Sequence, residues 1–349
     1  MKKKYLAVLL LATIWIYSYT DTIVFASEYE VNYTIATEFD YSFTKEEDWK
    51  SKSKKDKIED CQIPIEIAEK MSTRILLESI LSNPLMVDLF MFNTYDEGYR
   101  TVKNEISAFG VLLERTDLYE VLTEKYDDCC NGATDDDIMN SMYLAVIMAQ
   151  DDVIKSTDNE SVREFYCSLE KSNKNIYLKC VEENKAKMCG LERTMLSYDS
   201  NSNYSPVYIY IPRGIQILAY TYVGTDFTDS EKNIMHARFS SMYHVISYIS
   251  PASPYYNCHS YAWYSQSTSN PYVIEHPHCD AYIDEGIYVQ VSQAKKGDIV
   301  HWCEGDHSAI VRVVGNQSIL TISKFGEYGV YTMYIDEMPY VGNYYFYRN

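Results

Sequence analysis

The chain has 349 residues, with 50 acidic side chains against 31 basic ones and a formal charge of −19. That balance argues against nucleic acid and anionic membrane surfaces as partners, because both are recognised through clustered cationic groups. The length is enough for two domains with real cores. Thirty-five tyrosines exceed ordinary usage and suit an extracellular, polymer-binding surface, without identifying a ligand.

Met1 to Ala26 reads as a signal peptide. Lys2, Lys3 and Lys4 form a positive start, Tyr5 to Tyr19 is an apolar run, and Val24-Phe25-Ala26 suits a signal peptidase. The apolar run is short for a membrane span and Thr20-Asp21-Thr22 breaks it, so cleavage is expected rather than anchoring. Loss of this leader takes the charge from −19 to −21 and predicts a secreted protein with no membrane attachment. Residues 27–59 read as a linker. Lys45 to Lys57 is mostly lysine, acid and serine, with Trp49 its lone large apolar group, a composition expected to stay solvated.

Residues 60–195 read as a helical module. Pro64 to Met71 forms a short helix, and Ser72 caps a helix over Thr73–Ser82. Asn83 then caps a segment with Pro84 at its first position, where the missing N–H is harmless. Further helices are predicted at 97–108, 116–126, 135–150, 160–173 and 176–188. Ile138, Met142, Val146 and Ala149 recur at helical spacing within 135–150. The Met and Tyr stripes of this region are core-packing residues first.

Composition marks 197–204 as a boundary loop, and the period changes after it. Val207–Ile211 and Ile215–Val223 are β-branched and aromatic, joined by Pro212-Arg213-Gly214 as a hairpin. Thr228-Asp229-Ser230-Glu231 opens a helix to about residue 246. Strands are predicted at 299–302, 307–314, 317–323 and 329–333. The expected class is α+β, a helical module followed by a domain over 205–349 in which a helix packs on an antiparallel sheet.

The chemistry concentrates in Asn257-Cys258-His259-Ser260-Tyr261-Ala262-Trp263, Gly297-Asp298-Ile299-Val300 and His307-Ser308-Ala309-Ile310-Val311. A cysteine in the first turn of a helix meets backbone N–H groups that favour thiolate. A histidine opening a neighbouring strand can take the thiol proton and return it to a leaving group. Cys258 and His307 are therefore the candidate nucleophile and base. Asp298 reads as the residue that fixes the turn before its strand. Tyr261 and Trp263 read as packing against the sheet.

These blocks resemble the NlpC-type and CHAP-type families of papain-like bacterial cell-wall cysteine hydrolases. More closely, they resemble a group of secreted proteins of Gram-positive bacteria. That group shares the Asn-Cys-His-Ser-Tyr-Ala-Trp block, Asn270-Pro271-Tyr272, Ser323-Lys324-Phe325-Gly326 and Pro339-Tyr340. Met71-Ser72-Thr73, Asn83-Pro84-Leu85 and Asn93-Thr94-Tyr95 look like the helical leader of the same proteins, so the resemblance covers most of the mature chain. It implies a papain-like fold and a peptidase or amidase that cleaves an amide through a thioester. The implied substrate is peptidoglycan or another peptide, with no cofactor and no metal. By the same resemblance Cys258 attacks, His307 shuttles the proton, and the Cys258 N–H is one oxyanion donor. A third polar residue should orient the imidazole from the end of the following strand, which here reads Ser323-Lys324. Serine accepts such a bond weakly and lysine not at all, so Ser323 takes the third position with Lys324 the neighbouring alternative. Glu327 is close in sequence but lies beyond Gly326. The departure leaves open a papain-like protein without efficient chemistry, serving as a wall-associated binding or interaction protein.

Two further readings concern thiols and imidazoles. Nine cysteines in an exported chain invite a disulfide framework. With Cys258 kept free, Cys61, Cys129, Cys130, Cys167, Cys180, Cys189, Cys279 and Cys303 remain, an even number of undefined connectivity. His276-Pro277-His278-Cys279 and His301-Trp302-Cys303, with His259 and His307 nearby, form the rival metal-binding constellation. Neither cluster has the paired spacing of a structural zinc site.

Overall fold

Local capping signals start the helices close to where the sequence places them. Ser72 accepts from the Ile75 N–H and opens Thr73–Leu81. Asn83 accepts from the Leu85 N–H with Pro84 at the first position, but the segment it opens, Pro84–Phe90, winds as a 3-10 helix. Thr94 caps Tyr95–Glu105. Thr134 and Asp137 cap Asp135–Met148 reciprocally, and Thr228 and Glu231 do the same for Asp229–Met242. Leu118–Asn131, Asn159–Ser168 and Lys171–Met188 complete the longer helices. The computed structural model describes residues 37–46, 48–188, 203–302, 307–316, 318–340 and 342–349. The segment Met1–Ala26 read as a signal peptide, the start of the expected linker, Cys189, Cys303 and most of the expected 197–204 loop lie outside these residues. No described helix is long and apolar enough to cross a membrane.

All strands pair antiparallel, as an α+β fold requires. Strands β1 (Tyr204–Ile211), β2 (Ile215–Tyr222) and β4 (Tyr272–Val273) form a three-stranded sheet in the order β1-β2-β4. Its hairpin turns at Pro212–Gly214, where Arg213 adopts a positive φ of 68° and Ile211 pairs with Ile215. The larger sheet comprises β3 (Ser247–Ser250), β5 (Val289–Val291), β6 (Ile299–Trp302), β7 (His307–Val314), β8 (Ile319–Lys324), β9 (Val330–Tyr334) and β10 (Tyr344–Arg348). Its order is β3-β9-β8-β7-β6-β10-β5.

Strand alternation gives this sheet two buried faces. Val300, Trp302, Ala309, Tyr331 and Met333 belong to a large core shared with the helices. Ile299, Ile310, Ile322, Val330 and Tyr347 belong to a smaller core under the β1–β2 hairpin and the cysteine-bearing turn. Aromatic contacts join the helices to one another and to the sheet: Phe90 stacks on Tyr143 of Asp135–Met148 at 5.5 Å, and Phe239 of Asp229–Met242 stacks on Tyr331 of β9 at 4.0 Å. Helical and sheet residues thus share one core within the compact unit Ile35–Asn349.

The described part of the segment 27–59, expected as a solvated linker, is instead anchored on the core by a few buried side chains. Trp49 is 1% exposed and Tyr41 is buried, both within the large core. The lysines that argued for solvent find partners: Lys54 pairs with Asp88 and with Glu105, and buried Lys57 donates to the Lys50 and Met242 carbonyls at 3.0 and 2.8 Å. A lysine stem buries readily once its ammonium is satisfied. Desolvation still lowers Lys57 to about 8. Among the described residues, Cys61, Cys129, Cys130 and Cys167, expected to belong to a disulfide framework, are free thiols. Cys129 and Cys130 are consecutive in one helix, and burial raises the thiols of Cys61 and Cys129.

Candidate active site

Asn257 builds the turn that carries the thiol. Its Oδ1 accepts from the Ser260 and Ile274 N–H groups at 3.1 and 3.2 Å, and its Nδ2 donates to the Ile274 carbonyl at 2.7 Å. Cys258 and His259 begin the helical segment, which continues as a π-turn over Ser260–Tyr264. Such turns recur at functional sites.

Strand β7 divides its first two residues between the two sheet faces, and Cys258 and His259 divide the same way. His307, paired in register with Trp302, stacks on Tyr340 with ring centroids 3.8 Å apart. Phe325 and Trp302 flank it, each at 5.4 Å. The Ser-Lys-Phe-Gly and Pro-Tyr blocks therefore meet at this imidazole. Cys258 lies within hydrogen-bonding reach of both His259 and His307. Burial by itself pushes the thiol up, but the charges of the two imidazoles and their hydrogen bonds outweigh it, holding Cys258 well below its ordinary value. The imidazoles carry this shift. The helical segment is too short to contribute much of a dipole.

On the other face, His259 Nδ1 and His301 Nδ1 each lie 2.9 Å from Ser308 Oγ, and Trp263 Nε1 donates to the same oxygen at 2.9 Å. A hydroxyl has one proton and two lone pairs. With the indole donating, one imidazole supplies its Nδ1–H to Ser308 and the other accepts the Ser308 proton. Trp263 is thus held by packing and by this bond, as expected of a sheet-facing residue.

Sequence reasoning missed Asn93. Its Oδ1 accepts from Cys258 Sγ at 3.4 Å, and its Nδ2 lies 3.2 Å from His259 Nε2. A half-turn of the amide would present an N–H to a thiolate and the oxygen to a His259 Nε2–H. The local signal at this place belongs to Thr94, whose Oγ1 accepts from the Glu97 N–H at 2.9 Å. Nothing in the local pattern points Asn93 at a thiol 165 residues away.

The third position divides between two side chains. Ser323 Oγ sits 2.7 Å from the Ser308 carbonyl and 3.1 Å from the Lys324 carbonyl, so its proton serves the backbone. Lys324 is fully buried, donates to the Gly326 carbonyl at 2.5 Å and lies 5.3 Å from the Tyr256 ring centre. Desolvation lowers this amine to about 8, against the opposing pull of Glu327 and Cys258. Lys324 thus adds a cation near the thiol. Glu327 is engaged elsewhere, with Lys179 at 2.5 Å. Asp298 has its expected role: Oδ2 accepts from the Lys295 N–H at 2.7 Å, and Arg348 grips the carboxylate at 2.6 and 2.7 Å. Burial raises that carboxyl, but Arg348 and the Lys295 N–H bring it below its ordinary range.

Cys258, His259 and His307 are each at most 1% exposed, so a substrate reaches the thiol only after a local opening. His276, Asp280 and His301 form a metal-type donor group on the His301 side of Ser308. His278 and Cys279, the other members of the first rival cluster, are not part of it. No protein-family model, curated protein or solved structure matches this chain.

Proposed function

We propose that the chain is a secreted cysteine hydrolase of papain-like design that cleaves an amide through a thioester, with cell-wall peptide as the substrate. The observation that carries this reading is the buried Cys258 thiol held between two imidazoles and shifted toward thiolate. In the proposed reaction the Cys258 thiolate attacks the amide carbonyl carbon. The developing oxyanion is met by the Cys258 N–H and, after the amide half-turn, by Asn93 Nδ2–H. The His307 imidazolium gives its proton to the departing amine nitrogen as the C–N bond breaks, leaving a thioester. His307, now neutral, takes a proton from water as the hydroxyl oxygen attacks that thioester. The acid product departs, and thiolate and imidazolium are restored.

A second reading is favoured by the near-zero exposure of Cys258 and by the backbone bonds of Ser323. In it the fold serves as a wall-associated binding or interaction protein without efficient chemistry.

Brief labelling with an iodoacetamide probe at mildly acidic pH, read by mass spectrometry, separates the two. The hydrolase reading expects fast labelling of Cys258, with large losses in His307→Ala and His259→Ala. Labelling no faster than that of a cysteine in an unstructured peptide would leave the binding reading in its place.

A further inference from the structure

His301 extends the Ser308 network from His259 toward His276 and Asp280, with its ring centroid 5.7 Å from that of His259 and 5.8 Å from that of His276. Its Nε2 lies 3.8 Å from Asp280 Oδ1, while Asp280 Oδ2 lies 3.0 Å from His276 Nε2. The three donor atoms all fall within 4.8 Å of one another. We propose that His276, Asp280 and His301 bind a divalent transition-metal ion of the zinc class, at a site adjoining the cysteine and separate from it.

Zinc bonded to nitrogen and oxygen at about 2.0–2.2 Å in a tetrahedron holds its ligand atoms roughly 3.3–3.5 Å apart. The imidazole nitrogens lie 3.0 and 3.8 Å from the two oxygens of the Asp280 carboxylate, His276 from Oδ2 and His301 from Oδ1, on either side of that value. Two imidazoles and one carboxylate suit zinc-class ions, whereas calcium and magnesium favour oxygen-only shells. The ligands come from two short segments. His276 and Asp280 are four residues apart at the turn before Ala281–Asp284, and His301 is on β6.

The surroundings are already arranged. His301 is buried against Trp263, with ring centroids 5.9 Å apart, and its Nδ1 is held by Ser308. A metal on Nε2 requires the proton on Nδ1, which Ser308 accepts beside the Trp263 donor. In the metal-bound form the Ser308 proton then goes to Nδ1 of a neutral His259, so the hydroxyl's proton and both lone pairs are used and, of the two imidazoles beside Cys258, His307 alone carries the charge. This is the outer bond that metal-bound imidazoles need for orientation. His276 is 39% exposed on its side chain, leaving solvent access for the ion and for a water in the remaining position.

The test uses the full chain, chelator-stripped under reductant, with zinc chloride alone as the titrant in calorimetry and elemental analysis after desalting. Cobalt(II) absorption reports the coordination geometry. One zinc per chain is expected, weakened at least about 100-fold in His276→Ala and in the near-isosteric Asp280→Asn, with circular dichroism showing both folded. Cys258→Ser is expected to bind as the unaltered chain does. The proposal is overturned if the stripped protein takes up no zinc. It is equally overturned if zinc binding survives both ligand variants or disappears with Cys258→Ser. None of these readouts depends on hydrolase activity.

Discussion

Gly326→Ala tests how the helical residues hold the site together. Gly326 has a φ of +45°, and a Cβ there would lie 2.1 Å from the Phe90 oxygen, 2.6 Å from the Met91 carbonyl carbon and 2.7 Å from the Phe92 oxygen. These are backbone atoms, and they are pinned. The Glu327 N–H donates to the Phe90 carbonyl at 2.9 Å, Tyr340 Oη to the Met91 carbonyl at 2.7 Å, and Tyr328 Oη to the Val87 carbonyl at 3.1 Å. The left-handed backbone costs alanine about 1 kcal/mol, and forcing apart a packed contact costs roughly 1–3 kcal/mol more. Losing one of the pinning hydrogen bonds adds about 1 kcal/mol, for a total of about 3–5 kcal/mol. Gly297→Ala is the control: its φ is +95° but nothing lies within 4 Å of the added carbon, so only the backbone cost of about 1–2 kcal/mol applies. Urea unfolding of both variants measures the difference as a shift in midpoint at constant m. Because the displaced segment leads into Asn93, Gly326→Ala should also slow Cys258 labelling. A Gly326→Ala loss no greater than that of Gly297→Ala would refute the close-approach argument.

Asn93 and Lys324 give two further expectations. Asn93→Asp places a carboxylate against the Cys258 sulfur, raising the thiol and slowing acidic-pH labelling by at least roughly tenfold, while Asn93→Ala has a smaller effect. A labelling pH profile checks this, and equal profiles for the two variants would count against the contact. For Lys324, the folded amine titrates near 8, below the ordinary value of 10.5. Between these values the unfolded chain binds more protons at this group, so its contribution to stability rises with pH across that window. Below about 8 its desolvation cost is fully present. Lys324→Met removes the titration, so wild type should gain on the variant as pH rises from about 8 to 10, read from urea midpoints. A constant difference between the two would contradict the burial of a charged amine.

Much of the fold was legible because it rests on interactions within a few residues. Ser72, Asn83 and Thr228 cap helices by bonding N–H groups two or three positions ahead, and that pattern is written locally. The β1–β2 hairpin and strands β6 to β9 were likewise readable, from β-branched alternation and turn residues. Cys258 and His307 stood out because their residue types and local settings suit a thiolate and a proton carrier. What the sequence did not disclose depends on pairs far apart in the chain. Trp49 and Lys57 looked solvated until distant partners, among them the Met242 carbonyl, gave them a place to bury. Asn93 meets Cys258, and His301 meets Asp280, only because the folded chain brings separate segments together. Local composition determines which residues can cap, alternate or ionise. Which of them face one another is decided by core packing, which has no signature in the spacing of any single segment.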